Sequence, residues 1–376
     1  MSFQFDQNTI QGANIKVIGV GGAGCNAVNT MLGSNLSSID FIVANTDRQA
    51  LDNNRSPIKI QLGTGITKGL GAGAKPDIGR EAAVENIEEV RQNLEGTDML
   101  FIAAGMGGGT GTGAAPVIAE AAKNAGILTV GVVTKPFAFE GKTRSRIAVA
   151  GLKELKKHVD ALIVIPNEKL FSISGKAISL LDGFKLADEV LLHAIKSISD
   201  LINVPGLINL DFADVKTIMA DTGMAFMGIG QHNGDNRAAE AAQKAVSNPL
   251  LDDVSIRGAK GLLVNITGSK SLTFTDLQEA TDFIRPKAHE DANIIFGAVI
   301  DETMGENFQI TVIATGFENA APEQAAAEAQ TDTAVSRPPV QKDENQNVTK
   351  IGTIISEFAE DDVYDTPTFV RKQQAM

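Results

Sequence analysis

Short apolar runs alternate with longer amphipathic segments over residues 15–175. The apolar runs are Ile15–Val20, Phe41–Ala44, Met99–Ala104, Ile127–Thr134 and Ala161–Pro166. Between them, apolar side chains recur at helical spacing near Asn26–Leu32, Asp77–Leu94, Ala114–Asn124 and Thr143–His158. Strands alternating with helices predict a mostly parallel sheet with helices on both faces. Residues 179–203 keep a helical period with no Gly or Pro after Gly183, which predicts one long helix ended by the Pro205-Gly206 breaker. Residues 211–316 read as a second unit, with apolar runs at Ala225–Ile229, Gly261–Ile266, Ile294–Ile300 and Phe308–Thr315 and helical patterns near Arg237–Ser247 and Thr275–Arg285. The polar, Gly-containing Asp301–Asn307 joins the last two runs and predicts a hairpin, hence an α+β unit with at least one antiparallel pair.

Composition narrows the classes. The 376 residues are 43% hydrophobic and 21% charged, enough for a sizeable core and two or three domains. A single cysteine, Cys25, excludes an internal disulfide framework and fits a reducing compartment. The net charge of −13 argues against sequence-independent DNA binding and against adsorption to anionic lipid. No run of about 18 apolar residues is present for a membrane span. The first residues, MSFQFDQNTI, lack the basic and apolar regions expected of a secretory signal. His158, His193, His232 and His289 show no metal-ligand spacing.

Three glycine-rich segments sit where strands give way to helices. The first is Gly19-Val20-Gly21-Gly22-Ala23-Gly24-Cys25-Asn26, after the first apolar run. The second is Gly105-Met106-Gly107-Gly108-Gly109-Thr110-Gly111-Thr112-Gly113, with six glycines in nine residues. Glycine in regular structure costs about 0.5–1 kcal/mol relative to Ala, so this density needs a cause. A nest of backbone N–H groups around a multiply charged phosphate, with the Thr110 and Thr112 hydroxyls as further donors, supplies one. The third segment, Gly69-Leu70-Gly71-Ala72-Gly73-Ala74, reads equally as a lid loop or a surface turn. A Walker A loop is excluded, since Pro136 stands where its first Gly would be relative to Gly141-Lys142-Thr143. Neither main glycine loop contains a Lys, so backbone dipoles, Arg144 and a metal must neutralise the phosphates.

The second loop carries a recognisable signature. GGGTGTG at Gly107–Gly113 is the mark of the tubulin/FtsZ family. IKVIGVGGAGCNAVN at Ile15–Asn29, NTD at Asn45–Asp47, GAG at Gly71–Gly73, KPFAFEGKTR at Lys135–Arg144, IPNEKL at Ile165–Leu170 and NLDFADVKTIM at Asn209–Met219 agree with it in order. Residues 15–316 resemble the bacterial cell-division (FtsZ) branch of that family rather than eukaryotic tubulin. The resemblance implies a Rossmann-like GTP-binding domain over 1–178, a central helix over 179–203, an α+β domain carrying the catalytic loop over 204–316, an acidic disordered linker over 317–362 and a partner-binding peptide over 363–376.

By resemblance, Gly21, Gly22, Ala23, Gly24, Cys25 and Asn26, with Gly105, Gly107, Gly108, Gly109, Thr110, Gly111 and Thr112, hold the phosphates of GTP or GDP. Ala72 and Gly73 lie near the γ-phosphate, and Glu140 and Arg144 near the ribose and phosphates. Asn26, Asn167, Phe184 and Asp188 frame the guanine, whose N1–H and N2–H donors suit a carboxylate. Read without the resemblance, Asp188 is a solvated helix residue favoured by the dipole and Phe184 plain core. Mg2+ is expected, held mainly by phosphates and water. Asn209, Asp211 and Asp214 are the implied catalytic residues, polarising water at the nucleotide of the next subunit. On local grounds Asp211 is simply a helix N-cap and Asp214 a favourable acid at the third helical position. A site split this way builds an open head-to-tail filament, since a heterologous contact does not close. A left-handed backbone at Cys25 would strain a cysteine there.

After Phe317 the chain is Ala-, Gln-, Glu- and Asp-rich, with 11 acidic and 5 basic residues, too little apolar surface to offset its ordering entropy. Near its end Asp365, Pro367, Phe369, Arg371 and Lys372 resemble the peptide that binds membrane tethers such as FtsA and ZipA; Thr366 and Thr368 depart from the pattern. Ile351, Ile354, Ile355 and Phe358 fall on one helical face and predict either folding on a partner or an unstructured apolar patch. Division regulators are further implied partners, at the midcell on the cytoplasmic face of the membrane, with no nucleic acid and no direct membrane insertion. Two other readings stand beside the GTPase. Gly19, Gly21 and Gly24 fit a Rossmann-type dehydrogenase, which leaves Gly107–Gly113 unexplained. A non-hydrolysing tubulin-like regulator would require loss of Asp211 or Asp214, and both are present.

Overall fold

The computed structural model describes residues 12–317 except 35, 37, 175–178, 205, 209 and 252–255. The chain runs β1 (Ile15–Val20), α1 (Gly21–Met31), β2 (Ile39–Asn45), α2 (Arg48–Asp52), β3 (Ile58–Gln61), α3 (Pro76–Glu85), α4 (Ile87–Leu94), β4 (Met99–Gly105), α5 (Thr110–Asn124) and β5 (Leu128–Lys135). It continues through α6 (Lys142–Leu155), β6 (Ala161–Pro166), α7 (Asn167–Ser174), α8 (Leu180–Asn203), α9 (Phe212–Met219), β7 (Gly223–His232), α10 (Arg237–Val246), β8 (Gly261–Gly268), α11 (Phe274–Ile284), β9 (Asn293–Ile300) and β10 (Phe308–Thr315).

The strands lie in the order β3-β2-β1-β4-β5-β6-β7-β10-β8-β9. From β3 to β6 every pairing is parallel. The inner strands are covered on both sides, which is why β4 is apolar almost throughout. Their side chains still sort with a period of two. Val17, Phe101 and Val130 join the core under α1 and α8. Ile18, Leu100 and Ile102 join the core under α3 and α5. A third cluster fills the space between β8, β10, α10 and α11. Helix α8 is the central element: Ile195, Ile198 and Leu201 share one core with Leu263, Val299 and Ile313 of the later strands. Ser179 caps it, its hydroxyl accepting from the Asp182 N–H at 3.1 Å. It ends at Asn203, and Val204 turns extended as a residue before proline must.

The sheet corrects the hairpin expectation. β9 and β10 are not neighbours: β9 pairs parallel with β8, and β10 lies antiparallel between β7 and β8. β8-α11-β9 is a crossover unit, which forces the parallel pairing. The segment 301–307 therefore passes the end of β8, where the Asp301 N–H donates to the Gly268 carbonyl at 2.8 Å. The helical pattern at Asp77–Leu94 is two helices, broken at Asn86, whose side chain accepts from the Gly63 N–H instead of continuing the turn. Helix α1 starts at Gly21, so the first glycine segment supplies its first turn; in the second, residues 106–109 form a loop and Thr110 to Gly113 the first turn of α5. The short elements α2, β3 and α7 carry too few residues for a period to register.

Candidate nucleotide site

β1 and β4 are adjacent, yet α1 lies on the α8 side of the sheet and α5 on the α3 side. The helices part at the carboxyl ends of these strands, leaving the crevice where open α/β sheets bind ligands. Both helices begin without a side-chain cap and without an acid in the first turn. By contrast α2 and α11 are capped by Asp47 and Thr273. Uncapped N–H groups and two uncompensated positive dipole ends thus converge on one crevice, an anion site made of backbone.

The glycines there divide by cause. An added Cβ at Gly21, whose φ is +73°, would lie 2.8 Å from Gly111 N. One at Gly105 would meet Ala23 Cβ at 2.6 Å, one at Gly109 would meet Ala72 Cβ at 2.8 Å, and one at Gly107 would meet Arg144 Cγ at 2.7 Å. At Gly24 and Gly111 the obstacles are the Ala103 and Gly105 carbonyl oxygens, at 2.3 and 2.7 Å. These glycines let the segments pack on each other. Gly22 and Gly108 are different: neither has a positive φ and, among the described residues, neither would place a Cβ within 4 Å of another atom. Nothing inside the chain requires glycine at these two positions, whereas close approach of a phosphate does. Gly107 N–H donates to the Thr112 hydroxyl at 2.9 Å, closing the signature loop.

The third segment is part of the same assembly. Ala72 packs on Gly109, and Gly71 N–H donates to the Thr46 carbonyl at 3.1 Å. The buried Thr46 hydroxyl in turn bonds the Thr110 hydroxyl at 2.6 Å. Thr46 is a site residue that sequence reasoning missed, although it stands in the quoted NTD motif. Glu140 holds Arg144 by an ion pair at 3.1 Å and accepts from the Phe137 N–H at 2.9 Å.

Phe137, also missed, is the buried centre of an aromatic group. Phe139 stacks on it, Phe171 tilts against it, and Phe184 meets it edge-on with ring centroids 5.5 Å apart. Phe184 itself is 41% exposed, so it is not plain core. Asn167 opens α7, is buried, and has no partner for its Oδ1. Asp188 lies one turn beyond Phe184 on α8. Burial, then the neighbouring Glu189 charge, pushes its carboxyl up to about 7. A buried amide oxygen without a partner among the described residues, and a carboxyl one helical turn from an exposed ring, suit a flat, hydrogen-bonding ligand. Asn26 is exposed on α1. Cys25 is buried within α1 with no positive φ, so the strain considered above is absent. Burial pushes its thiol up to about 12, which makes it core rather than a nucleophile.

Asp211 and Asp214 are not at this crevice. Asp211 is the N-cap residue of α9, but its side chain makes no capping bond, and both carboxylates are exposed. They follow the far end of α8, where Asn203 Nδ2 donates to the Ala13 and Ser38 carbonyls at the amino ends of β1 and β2. The glycines cluster at the opposite ends of these strands. The 15-residue rise along α8 from Asp188 to Asn203 spans roughly 22 Å. Asn209 and the five tail residues Asp365, Pro367, Phe369, Arg371 and Lys372, with Ile351–Phe358, lie outside the described residues.

Comparison with known proteins agrees with this anatomy. Residues 14–175 match the tubulin/FtsZ family GTPase domain, and residues 223–318 match the FtsZ family C-terminal domain. The chain is 47% identical over 391 residues to cell division protein FtsZ of Pseudomonas aeruginosa, covering 99% of each. It is 53% identical to that of Magnetospirillum gryphiswaldense over 310 residues, 82% of this chain and 55% of that one. The solved structure of an empty FtsZ dimer from M. jannaschii superposes with a TM-score of 0.78 at 45% identity, covering 81% of this chain and 88% of that one.

Proposed function

The chain belongs to the FtsZ branch of the tubulin/FtsZ family, and from that premise we infer that it is a GTPase of cell division that assembles head to tail, each hydrolytic site being completed by the next subunit. The single observation that carries the shared site is the separation of Asp211 and Asp214 from the glycine crevice. Each chain presents phosphate-binding backbone at one end and unpartnered carboxylates at the other.

In this reading the α1 and α5 amino ends, with Thr110, Thr112 and Arg144, bind the phosphates. Asn167, Phe184 and Asp188 take the guanine, Phe184 against its face and Asp188 on its N1–H and N2–H. Mg2+, held by the phosphates and water, would supply further charge neutralisation. Asp211 and Asp214 of the subunit above orient and polarise the attacking water, Asn209 completing the set. Hydrolysis then weakens the contact that the γ-phosphate held. The dehydrogenase alternative has no place for the second loop or for the aromatic guanine pocket. Among the described residues no helix is long and apolar enough to cross a membrane. Membrane tethering is assigned here to the C-terminal peptide. Phe369 beside Arg371 and Lys372 suits a groove in a tether such as FtsA or ZipA, at the cytoplasmic face of the midcell membrane.

Specific GTP turnover should be near zero in dilute protein and rise above a threshold concentration as filaments scatter light. Constant turnover per chain across that range contradicts the shared site. The Asp188 carboxyl gives a second expectation. Guanine binding selects its ionised form, and a free-chain value of about 7 means that form is lost as pH falls. GDP affinity should be roughly tenfold weaker at pH 6 than at pH 8. Asp188→Asn should flatten that slope in a fluorescence titration. A parent chain with no slope would remove Asp188 from the base pocket.

A further inference from the structure

We propose that Gly297 is a positioning residue for GTP turnover: its missing side chain seats Leu201 of α8 against β9 and so fixes the tether that holds the Asp211–Asp214 loop. This rests on the role given to those acids above. β9 is the edge of the sheet, and β8 occupies one of its sides. On the other side one residue pair bridges it: Leu207 N–H donates to the Ala298 carbonyl at 3.0 Å, and Ala298 N–H donates to the Ile208 carbonyl at 3.3 Å. Among the described residues the loop thus adds itself to the sheet through one antiparallel bridge, and Asp211 follows three residues later. Its other end is held by Asn203 on the starts of β1 and β2. Both anchors precede the acids, one on the parallel half of the sheet and one on its far edge, the second three residues before Asp211.

Gly297 sits beside the second anchor. Its φ is not positive, so backbone conformation does not demand glycine. Space does. A Cβ there would lie 2.1 Å from Leu201 Cδ2 and 3.5 Å from the Ile208 carbonyl oxygen. Leu201 is 2% exposed within the central core, where close packing resists a change of its rotamer. A methyl at 297 must push β9 and α8 apart until the carbons reach ordinary contact, about 3.5–4 Å. That moves Ala298 and, through it, Leu207 and Ile208. Asp211 is at most roughly 11 Å of extended chain away. The nucleotide crevice, at the other end of the strands, is left alone.

The test is Gly297→Ala in the full chain, at matched filament mass by sedimentation. GTP affinity should stay within a factor of about two, while kcat falls roughly 10- to 100-fold, the effect of an ångström-scale misplacement. Leu201→Ala combined with Gly297→Ala reopens the space and should turn over faster than Gly297→Ala alone. A purely structural lesion would make the double variant slower still. Unchanged kcat in Gly297→Ala, or a double variant no faster, overturns the proposal. Asp214→Ala run alongside separates the two failures. If it is inactive while Gly297→Ala is fully active, the tether alone falls; if it is fully active, the role of the acids falls and the tether with it. Should Gly297→Ala not fold, amide exchange on the parent chain decides. Protected Leu207 and Ala298 amides support the tether, and Leu207 exchanging at unstructured rates overturns it.

Discussion

Asp214→Ala binds GTP as tightly as the parent chain and turns it over roughly 100-fold more slowly or worse, the range for loss of a group that activates the nucleophile. The binding half of this expectation follows from distance. Asp214 stands beyond the far end of α8 and makes no bond to the glycine crevice, so a chain's own nucleotide never meets its own Asp214. The kinetic half follows from exposure. At the third position of α9 the carboxylate compensates the helix dipole, a contribution of about 0.3–1 kcal/mol to stability, so the variant folds. Filaments should therefore form and persist. Equilibrium binding, sedimentation and phosphate release on one preparation check all three. Parental turnover in the variant would take Asp214 out of the chemistry.

Gly108→Ala produces the complementary lesion. A Cβ at this position touches nothing in the chain, and its φ lies outside the left-handed region. The melting temperature should stay within a degree or two, or rise slightly, because Ala restricts the unfolded chain more than Gly. Nucleotide affinity should nevertheless fall by about 10- to 100-fold, since the methyl occupies the surface that a phosphate oxygen must reach and displaces its N–H contacts, each worth about 1.5–3 kcal/mol when charge-assisted. Gly113→Ala provides the contrast: its Cβ would lie 2.0 Å from the Pro76 carbonyl oxygen, so the fold itself should suffer. Thermal melts with and without GDP separate the two classes. Equal affinity in Gly108→Ala would mean that the signature loop does not touch the phosphates.

The positions of these residues were legible in the chain to different degrees. Strands such as Ile15–Val20 and Ala161–Pro166 emerged with their observed bounds because burial on both faces leaves runs that are apolar apart from Lys16. The long helix emerged because a breaker ends a continuous period free of Gly and Pro after Gly183. The glycine segments announced an anion site because their density has no cheaper explanation. What stayed hidden was non-local. Nothing between Ile294 and Thr315 tells that β8 inserts between β9 and β10, since strand order depends on the crossover through α11 rather than on the connecting residues. Thr46 and Phe137 were unremarkable polar and apolar letters until the fold put one against Thr110 and the other under Phe184. Asn86 looked helical and is instead recruited by the Gly63 N–H. Gly297 reads as an ordinary strand glycine, and only the approach of Leu201 shows why it has no side chain.

The account stands on a division of labour between neighbouring chains, and mixing the two variants above examines it most directly. Asp214→Ala keeps sound glycine loops and Gly108→Ala keeps sound acids, so each alone should hydrolyse GTP poorly. Combined at equal concentration, contacts in which the loops of Asp214→Ala meet the acids of Gly108→Ala are complete. Phosphate release from the mixture should then rise well above the mean of the two separate preparations. A mixture that releases phosphate only at that mean would show that each chain hydrolyses its own nucleotide unaided.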